Sequence, residues 1–424
     1  MDKAILVAVN DGRNNNEFNQ EVLELKSLCE ACEIEIIATV IQNLTSFNPE
    51  TYVGKGKVEE IADVLVDNSC ELLVTNDELS PLQVSNLERE LNVTVYDRTY
   101  VILEIFRRRA KTKEAQLQVE MATKRYLLPR LTGAHKGLSR QRGAGGGFAH
   151  GRGSGEMKLE LERRNIYDQI ADIRQELQEL AKLRQQQRMK RKKNAMKVVS
   201  LVGYTNSGKS STLNALLKYS VSIKKEVFEK DILFATLETS TRLIKTSRNL
   251  QFLLTDTVGF VNKLPHQLIE AFKSTLEEIT EADLILHIVD SANPNYEKQI
   301  SVTKQVLEEI GVRDIPVIYV FNKSDLVQDF FIPPLYHPAI MISAKKDINL
   351  EELIRMVENE LFKAHHNVVL MLPFSKSALL HQIKENGIVD KMEVKDDHYY
   401  LEAKISDYLY GLTKEYIIKE ISGV

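Results

Sequence analysis

Eight consecutive residues, Gly203-Tyr204-Thr205-Asn206-Ser207-Gly208-Lys209-Ser210, have the types and spacing to hold a chain of phosphates. The two glycines let the backbone wrap an anion with no Cβ in the way, so that successive N–H groups face it. Lys209 brings positive charge to the β- and γ-phosphates, and the Ser210 hydroxyl is a hard oxygen ligand for Mg²⁺. Ser211 continues into the following turn. Such a loop works only between a strand and a helix, which the apolar run Val198-Val199-Ser200-Leu201-Val202 and the helical spacing of Leu213, Leu216 and Leu217 predict.

Four further elements follow in order. Phe234-Ala235-Thr236 occupies the place of a first switch, where Thr236 would ligate Mg²⁺ and sense the γ-phosphate. Asp256-Thr257-Val258-Gly259 ends the apolar strand beginning at Leu253; Asp256 would hold the metal through water, and the Gly259 N–H would bond the γ-phosphate. The strand Val317 to Phe321 ends in Asn322-Lys323-Ser324-Asp325. A carboxylate at Asp325 accepts both N1–H and the exocyclic N2–H of guanine, whereas adenine presents an acceptor at N1 and no amine at C2. Ser343-Ala344-Lys345 then supplies a loop to back the purine O6. Five such elements at strand ends within one domain length predict a GTPase that alternates between GTP and GDP, with Lys209, Thr236 and Gly259 carrying the reaction. Phe260 stands where many GTPases place a glutamine that orients water, so slow intrinsic hydrolysis is expected.

The elements that position these residues belong to a chain of 424 residues, long enough for about three domains. Its 43% apolar and 27% charged content is that of an ordinary globular protein. No apolar run approaches a membrane span, and the opening Met1-Asp2-Lys3 is unlike a signal peptide, so a cytoplasmic protein is expected. Cys29, Cys32 and Cys70 make no closed disulfide framework; Cys29 and Cys32 have redox or metal spacing, but nothing completes a zinc site and they read as a buried structural pair. Residues 1–105 alternate strand and helix patterns and predict a parallel βα domain. Gly54-Lys55-Gly56-Lys57, at the start of one of its helices, reads as turn chemistry.

Residues 101–197 carry 24 Lys and Arg against 10 Asp and Glu; this net +14 leaves −18 for the rest of a chain whose total is −4. One basic segment between acidic flanks is an electrostatic footprint for a polyanion. Within it the pattern is helical from Arg98 to Leu128, where Pro129 is expected to end the helix. A glycine-rich basic loop over 133–156, holding nine of the 19 glycines, comes next. It lacks a core of its own and should stay mobile until a partner orders it. Arg140, Arg142 and Arg152 are its phosphate contacts, and Phe148 and His150 offer surfaces for stacking on unpaired bases. A returning helix with Ile166, Ile170, Ile173, Leu177 and Leu180 on one seam predicts an antiparallel two-helix coiled-coil arm over 106–195. It ends in Arg188-Met189-Lys190-Arg191-Lys192-Lys193, read equally as a nucleic-acid contact or a solvated hinge. The expected fold is thus α/β, continuing with a P-loop GTPase domain with a doubly wound sheet over 196–364 and a small α+β domain over 365–424.

Taken together these residues resemble the HflX family of translation-associated GTPases, a branch of the Obg–HflX group. The resemblance covers nearly the whole chain. It rests on Tyr52-Val53-Gly54-Lys55-Gly56-Lys57, Tyr96-Asp97-Arg98-Thr99, Leu117-Gln118-Val119-Glu120, Leu128-Pro129-Arg130-Leu131 and Leu138-Ser139-Arg140-Gln141. It continues in Asp256-Thr257-Val258-Gly259-Phe260-Val261 and, most distinctively, Ala271-Phe272-Lys273-Ser274-Thr275-Leu276-Glu277-Glu278. The resemblance implies binding to the large (50S) ribosomal subunit, with the N-terminal and helical regions against 23S rRNA, and splitting of stalled 70S ribosomes under stress. It also implies Mg²⁺. Asn206 lies where related GTPases coordinate K⁺, and reads equally as a loop-stabilising asparagine. The chain departs from the family where Gly153-Ser154-Gly155-Glu156-Met157 and Leu237-Glu238-Thr239-Ser240-Thr241 each lack a proline, which should loosen the loop exit and the first switch. A monomer is expected. The alternatives are a GTPase of subunit assembly or RNA modification, or an rRNA-binding scaffold stabilised by nucleotide.

Overall fold

A computed structural model describes residues 2–141, 152–193, 196–220, 240–248, 250–263, 268, 276, 278–363, 366–395 and 397–421. The chain divides into two compact units: residues 1–187 with 232–238 and 262–274, and residues 188–231 with 239–261 and 275–424.

The first unit opens with the expected alternation: β1 (Asp2–Asn10), α1 (Asn15–Ala31), β2 (Ile34–Asn43), α2 (Lys55–Asp67), β3 (Leu72–Thr75), α3 (Pro81–Leu91) and β4 (Thr94–Asp97). The strands pair in parallel in the order β2-β1-β3-β4. Residues 4–10 of β1 are all buried, as a central parallel strand covered on both faces must be, and they read as one apolar run for that reason. Gly54 caps α2 and its N–H donates to Gln42 Oε1 at 2.9 Å, so the Gly-Lys-Gly-Lys stretch starts a helix. Cys29 and Cys32 are buried, and burial pushes both thiols up.

Three helices then build the arm, and here the expected boundaries need correction. The pattern from Arg98 is two helices, α4 (Arg98–Arg109) and α5 (Lys113–Gln141), because the Thr112 hydroxyl accepts the Ala115 N–H at 3.2 Å and starts a new one. Pro129 does not end α5, which runs on to Gln141. A proline removes one helical hydrogen bond and need not stop a helix whose next turn is anchored: Arg130 donates to Tyr126 O at 2.8 Å, Leu79 O at 2.9 Å and Asp97 Oδ2 at 2.9 Å. α6 spans Arg152–Lys193, so residues 133–141 and 152–156 of the expected loop are helical. The two long helices run antiparallel, with Lys113 Nζ 2.6 Å from Glu176 Oε2 and Lys124 Nζ 2.6 Å from Gln169 Oε1. Of the seam residues Ile170 and Ile173 are buried and Ile166, Leu177 and Leu180 half-buried.

Asp97 ties the arm to the sheet. It is fully buried at the end of β4, and its carboxylate caps α4 through Tyr100 N–H (2.8 Å). It also accepts from Leu79 N–H (3.1 Å), the Tyr126 hydroxyl (2.8 Å) and Arg130 (2.9 Å). Burial and the Asp97 charge push the Tyr126 phenol well up, keeping it a donor. Asp97→Ala leaves the half-buried Arg130 guanidinium and three further donors without their carboxylate, and we expect it to destabilise this unit by about 3 kcal/mol, read by denaturant unfolding of the full chain.

In the second unit a six-stranded sheet has the order β10-β9-β8-β5-β7-β6, parallel except for the β6/β7 pair. Its strands are β5 (Lys197–Gly203), β6 (Ser240–Lys245), β7 (Gln251–Asp256), β8 (Leu284–Asp290), β9 (Val317–Asn322) and β10 (Ala339–Met341). α7 (Lys209–Lys218), α8 (Tyr296–Glu309) and α9 (Leu350–Leu361) accompany it. The central strands β5 and β8 are almost wholly buried, and Leu213, Leu216, Leu353 and Val357 pack on them from α7 and α9. A separate antiparallel sheet closes the chain, order β12-β13-β11-β14, made of β11 (His366–Pro373), β12 (Ile388–Lys395), β13 (His398–Ile405) and β14 (Ile417–Glu420). α10 (Ser377–Asn386) and α11 (Asp407–Thr413) complete this α+β part. No described helix is long and apolar enough to cross a membrane.

Candidate nucleotide-binding site

The expected phosphate loop lies where its chemistry requires, between β5 and α7 at the carboxyl end of a parallel sheet. Gly208 has φ 93°, and a Cβ there would stand 2.1 Å from Asn322 Nδ2, so this position accepts glycine alone. Asn206 also has a left-handed backbone, φ 59°. Lys209 is buried at the start of α7 with its Nζ donating to Gly203 O (3.1 Å) and Tyr204 O (2.8 Å). Burial pushes its ammonium down to about 8, against the opposing pull of Asp256. Among the described residues nothing partners the buried Thr205 and Ser207 hydroxyls, as for polar atoms that meet an anion or its waters. Ser211 lies half-buried in the first turn.

Ser210 Oγ donates to Asp256 Oδ2 at 2.7 Å, with Asp256 fully buried at the end of β7. These two oxygens beside the phosphate loop suit a hard, oxygen-seeking divalent cation. Thr257 is anchored through its hydroxyl to Leu201 O at 2.7 Å. Val258 is buried, and Gly259 lies so close to the loop that a Cβ there would stand 2.8 Å from Thr205 Cγ2 and 2.9 Å from Lys209 Nζ. Phe260 is buried, and its backbone bridges to Tyr204: the Phe260 N–H donates to Gly203 O (3.2 Å) and its carbonyl accepts the Thr205 N–H (2.7 Å). Its side chain is packed out of contact with solvent, 1% exposed. Phe234, Ala235 and Thr236 lie outside the described residues.

The base-reading residues converge. Asn322 Nδ2 donates to Ser207 O at 3.0 Å and its Oδ1 accepts the Ala344 N–H at 3.0 Å, so one amide joins the phosphate loop to the Ser343-Ala344-Lys345 loop. The Ser343 hydroxyl donates to Asp325 Oδ1 at 2.6 Å and accepts the Lys346 N–H at 3.2 Å. That hydroxyl first, with the charges of Lys346 and Lys345, holds the exposed Asp325 carboxyl below its usual range and hence ionised. Lys323 has φ 65° and pairs with Asp290 Oδ2 at 2.7 Å. Sequence reasoning missed Asp290 and Ser291, whose hydroxyl donates to Asn322 O at 2.7 Å; the signal was their place at the end of β8, beside Asn322 at the end of β9. Burial pushes the nearby His287 down to about 3, leaving it neutral at physiological pH.

Of the residues expected to meet RNA, Arg140 lies in the last turn of α5 and Arg152 opens α6. Arg142, Phe148 and His150 lie outside the described residues.

Comparison with known proteins places these features in context. Residues 19–107 match a family model described as GTP-binding GTPase N-terminal, residues 109–191 one described as GTP-binding GTPase Middle Region, and residues 198–323 one described as 50S ribosome-binding GTPase. The chain is 40% identical over 417 residues to the GTPase HflX of Caldanaerobacter subterraneus subsp. tengcongensis, covering 98% of this chain and 94% of that relative. It is 37% identical over 424 residues to the GTPase HflX of Alkalihalophilus pseudofirmus, covering 99% and 98%. Among solved structures it is similar to a GTP-binding protein from the archaeon Sulfolobus solfataricus in complex with GDP, at 24% identity and a TM-score of 0.45, covering 86% of this chain and 99% of that one.

Proposed function

The chain belongs to the HflX family of GTPases, and from that premise we propose that it uses GTP to bind the 50S subunit and to split or rescue stalled 70S ribosomes under stress. Hydrolysis of GTP is what the family does, and the finer assignment is supported by one conjunction. The guanine-reading constellation of Asn322, Asp325 and Ser343 shares a chain with an antiparallel pair of long helices within a segment of net charge +14. Such a pair presents charge to a phosphate backbone. The match of residues 198–323 to a 50S ribosome-binding GTPase points to the same polyanion.

In this reading, nucleotide sits along residues 203–211 with its base between Asn322, Lys323, Asp325 and residues 343–345. Ser210 directly, Asp256 through water, and Thr236 would hold Mg²⁺, which when bound neutralises charge shared by the β- and γ-phosphate oxygens. Lys209 would bring its charge to the β- and γ-phosphates, and the Gly259 N–H would bond the γ-phosphate. With Phe260 packed in the core, the group that orients water comes from elsewhere, so unstimulated turnover is slow and rises when a ribosome orders the switches. K⁺ at Asn206 would add charge beside the phosphates; equal rates in K⁺ and Na⁺ would remove it from the scheme. In this reading the chain works as four parts, residues 1–105, 106–195, 196–364 and 365–424, in the cytoplasm and partly on ribosomes.

Sucrose-gradient sedimentation with 30S, 50S and 70S particles tests this. The expected result is co-migration with 50S, and conversion of 70S to subunits, with a non-hydrolysable GTP analogue but not GDP, lost on deletion of residues 133–156. Equal 50S binding with either nucleotide defeats the proposal, because a ligand shifts an equilibrium only through its differential affinity for the two states.

A further inference from the structure

Among the described residues, two buried hydroxyls of the phosphate loop, those of Thr205 and Ser207, have no partner. A buried polar atom left unpaired costs free energy, so each calls for an explanation. Their backbones tie them to different parts of the site. The Ser207 carbonyl accepts from Asn322 Nδ2 at 3.0 Å, on the side of the base-reading residues. Thr205 is joined instead to the turn that follows β7: its N–H donates to Phe260 O at 2.7 Å, and the Phe260 N–H donates to Gly203 O at 3.2 Å.

This parallel bridge sets Thr205 against Gly259 so closely that a Cβ on the glycine would stand 2.8 Å from Thr205 Cγ2 and 2.9 Å from Thr205 Cα. The same Cβ would stand 2.9 Å from Lys209 Nζ. The threonine side chain, the lysine ammonium and the glycine therefore converge at one spot, all within the second unit. It is the spot where the proposed function puts the γ-phosphate.

Hydrolysis needs an acceptor there, to hold one O–H of the attacking water so that a lone pair of its oxygen points at phosphorus. A glutamine amide does this in many GTPases, and Phe260 carries a hydrocarbon ring in its place. Lys209 can only donate. The Ser210 hydroxyl is given to Asp256 Oδ2 at 2.7 Å. A threonine hydroxyl has two lone pairs and one proton, so it accepts from water and donates to a phosphate oxygen at once, as an amide does with two separate atoms. Valine would fill the same volume with no hydrogen bond left unmade.

We propose that the Thr205 hydroxyl is the catalytic group that orients the attacking water in unstimulated GTP hydrolysis. The inference rests on the reading of Gly259 as a γ-phosphate contact. Thr205 Cγ2 lies on the Gly259 side, and one turn between staggered wells about Cα–Cβ exchanges the methyl for the hydroxyl. With the hydroxyl turned in, the water oxygen bonds to the γ-phosphorus as the bond from phosphorus to the β–γ bridging oxygen breaks. That bond's electron pair leaves with GDP, and one water proton passes to an oxygen of the released phosphate. Thr205 takes up no proton; it fixes direction alone. One hydroxyl that must first turn accords with the slow unstimulated turnover expected of this chain.

The test compares the full-length wild type with Thr205→Val, which is isosteric and lacks the hydroxyl, and Thr205→Ser, which keeps it. Steady-state kcat and KM are measured without ribosomes, together with affinities for GDP, for a non-hydrolysable GTP analogue and for GDP plus aluminium fluoride, a mimic of the phosphoryl group in transfer. Thr205→Val should lower kcat by about tenfold or more at a nearly unchanged KM, the mark of an interaction made only in the transition state. It should weaken the aluminium fluoride complex by a similar factor and change GDP and analogue affinity by less than about twofold. Thr205→Ser should recover most of the lost rate. A kcat for Thr205→Val within about twofold of wild type overturns the proposal, as does a Thr205→Ser as slow as the valine variant. So does a loss of GDP affinity as large as the loss of rate, because the threonine then only supports the loop. A Gly259→Ala variant that keeps the wild-type preference for the analogue over GDP overturns the γ-phosphate reading instead, and the two failures are distinguishable.

Discussion

Asp325→Asn is expected to weaken GTP binding by about 10³-fold and to create a site for xanthosine triphosphate. The Asp325 carboxylate is exposed, ionised and aimed by the Ser343 hydroxyl at 2.6 Å, so both of its oxygens remain acceptors for the N1–H and N2–H groups of guanine. A hydrogen bond to a charged group contributes about 1.5–3 kcal/mol. Losing one acceptor, and facing N2–H with an amide N–H, therefore costs roughly 3–6 kcal/mol in all. Xanthine replaces the C2 amine with a carbonyl, which the new amide donates to while its oxygen accepts N1–H. Competition between the two triphosphates for wild type and variant measures the switch. Retained GTP affinity in the variant would mean that the base lies elsewhere.

Lys209→Met is expected to reduce kcat by at least ~10²-fold, because it removes a buried positive charge from the place where negative charge shifts during transfer. The wild type should also show a pH signature that the variant lacks. Burial places the Lys209 ammonium at about 8 in the free protein. A bound triphosphate favours the charged form and raises that value, so binding takes up a proton between about pH 8 and the higher value in the complex. Below about 8 the lysine is charged with or without nucleotide and contributes no pH dependence. Above it, GTP affinity should fall by up to tenfold per pH unit. Calorimetry at about pH 9 in buffers of different ionisation enthalpy should show proton uptake by the wild type and none by Lys209→Met.

Both predictions concern residues whose roles were legible as motifs. The phosphate loop, the Asp-x-x-Gly turn and the Asn-Lys-x-Asp turn are local: each functional side chain is placed by a strand end a few residues away, and strand ends are visible in the hydrophobic pattern. The partner network was less legible. Asp290 and Ser291 form no recognised motif, and they matter only because β8 pairs beside β9 in a register that sets Asp290 opposite Asn322. Pro129 misled for a related reason. Its local effect is real, but the tether that carries α5 past it comes from Asp97 and Leu79, more than 30 residues earlier.

By itself the sequence determined that this protein binds and hydrolyses GTP, since spacing within a few residues encodes the anion loop and the purine contacts. It determined the alternating N-terminal sheet too, because a buried parallel strand must be apolar on both faces. Only the tertiary structure decided which distant charges meet. That Lys263 rests on Asp77 and Glu21, or that Asp97 gathers Leu79, Tyr100, Tyr126 and Arg130, follows from strand order and helix packing. Ion pairs between residues far apart in the chain leave no periodicity to read; the folded backbone alone brings them within reach.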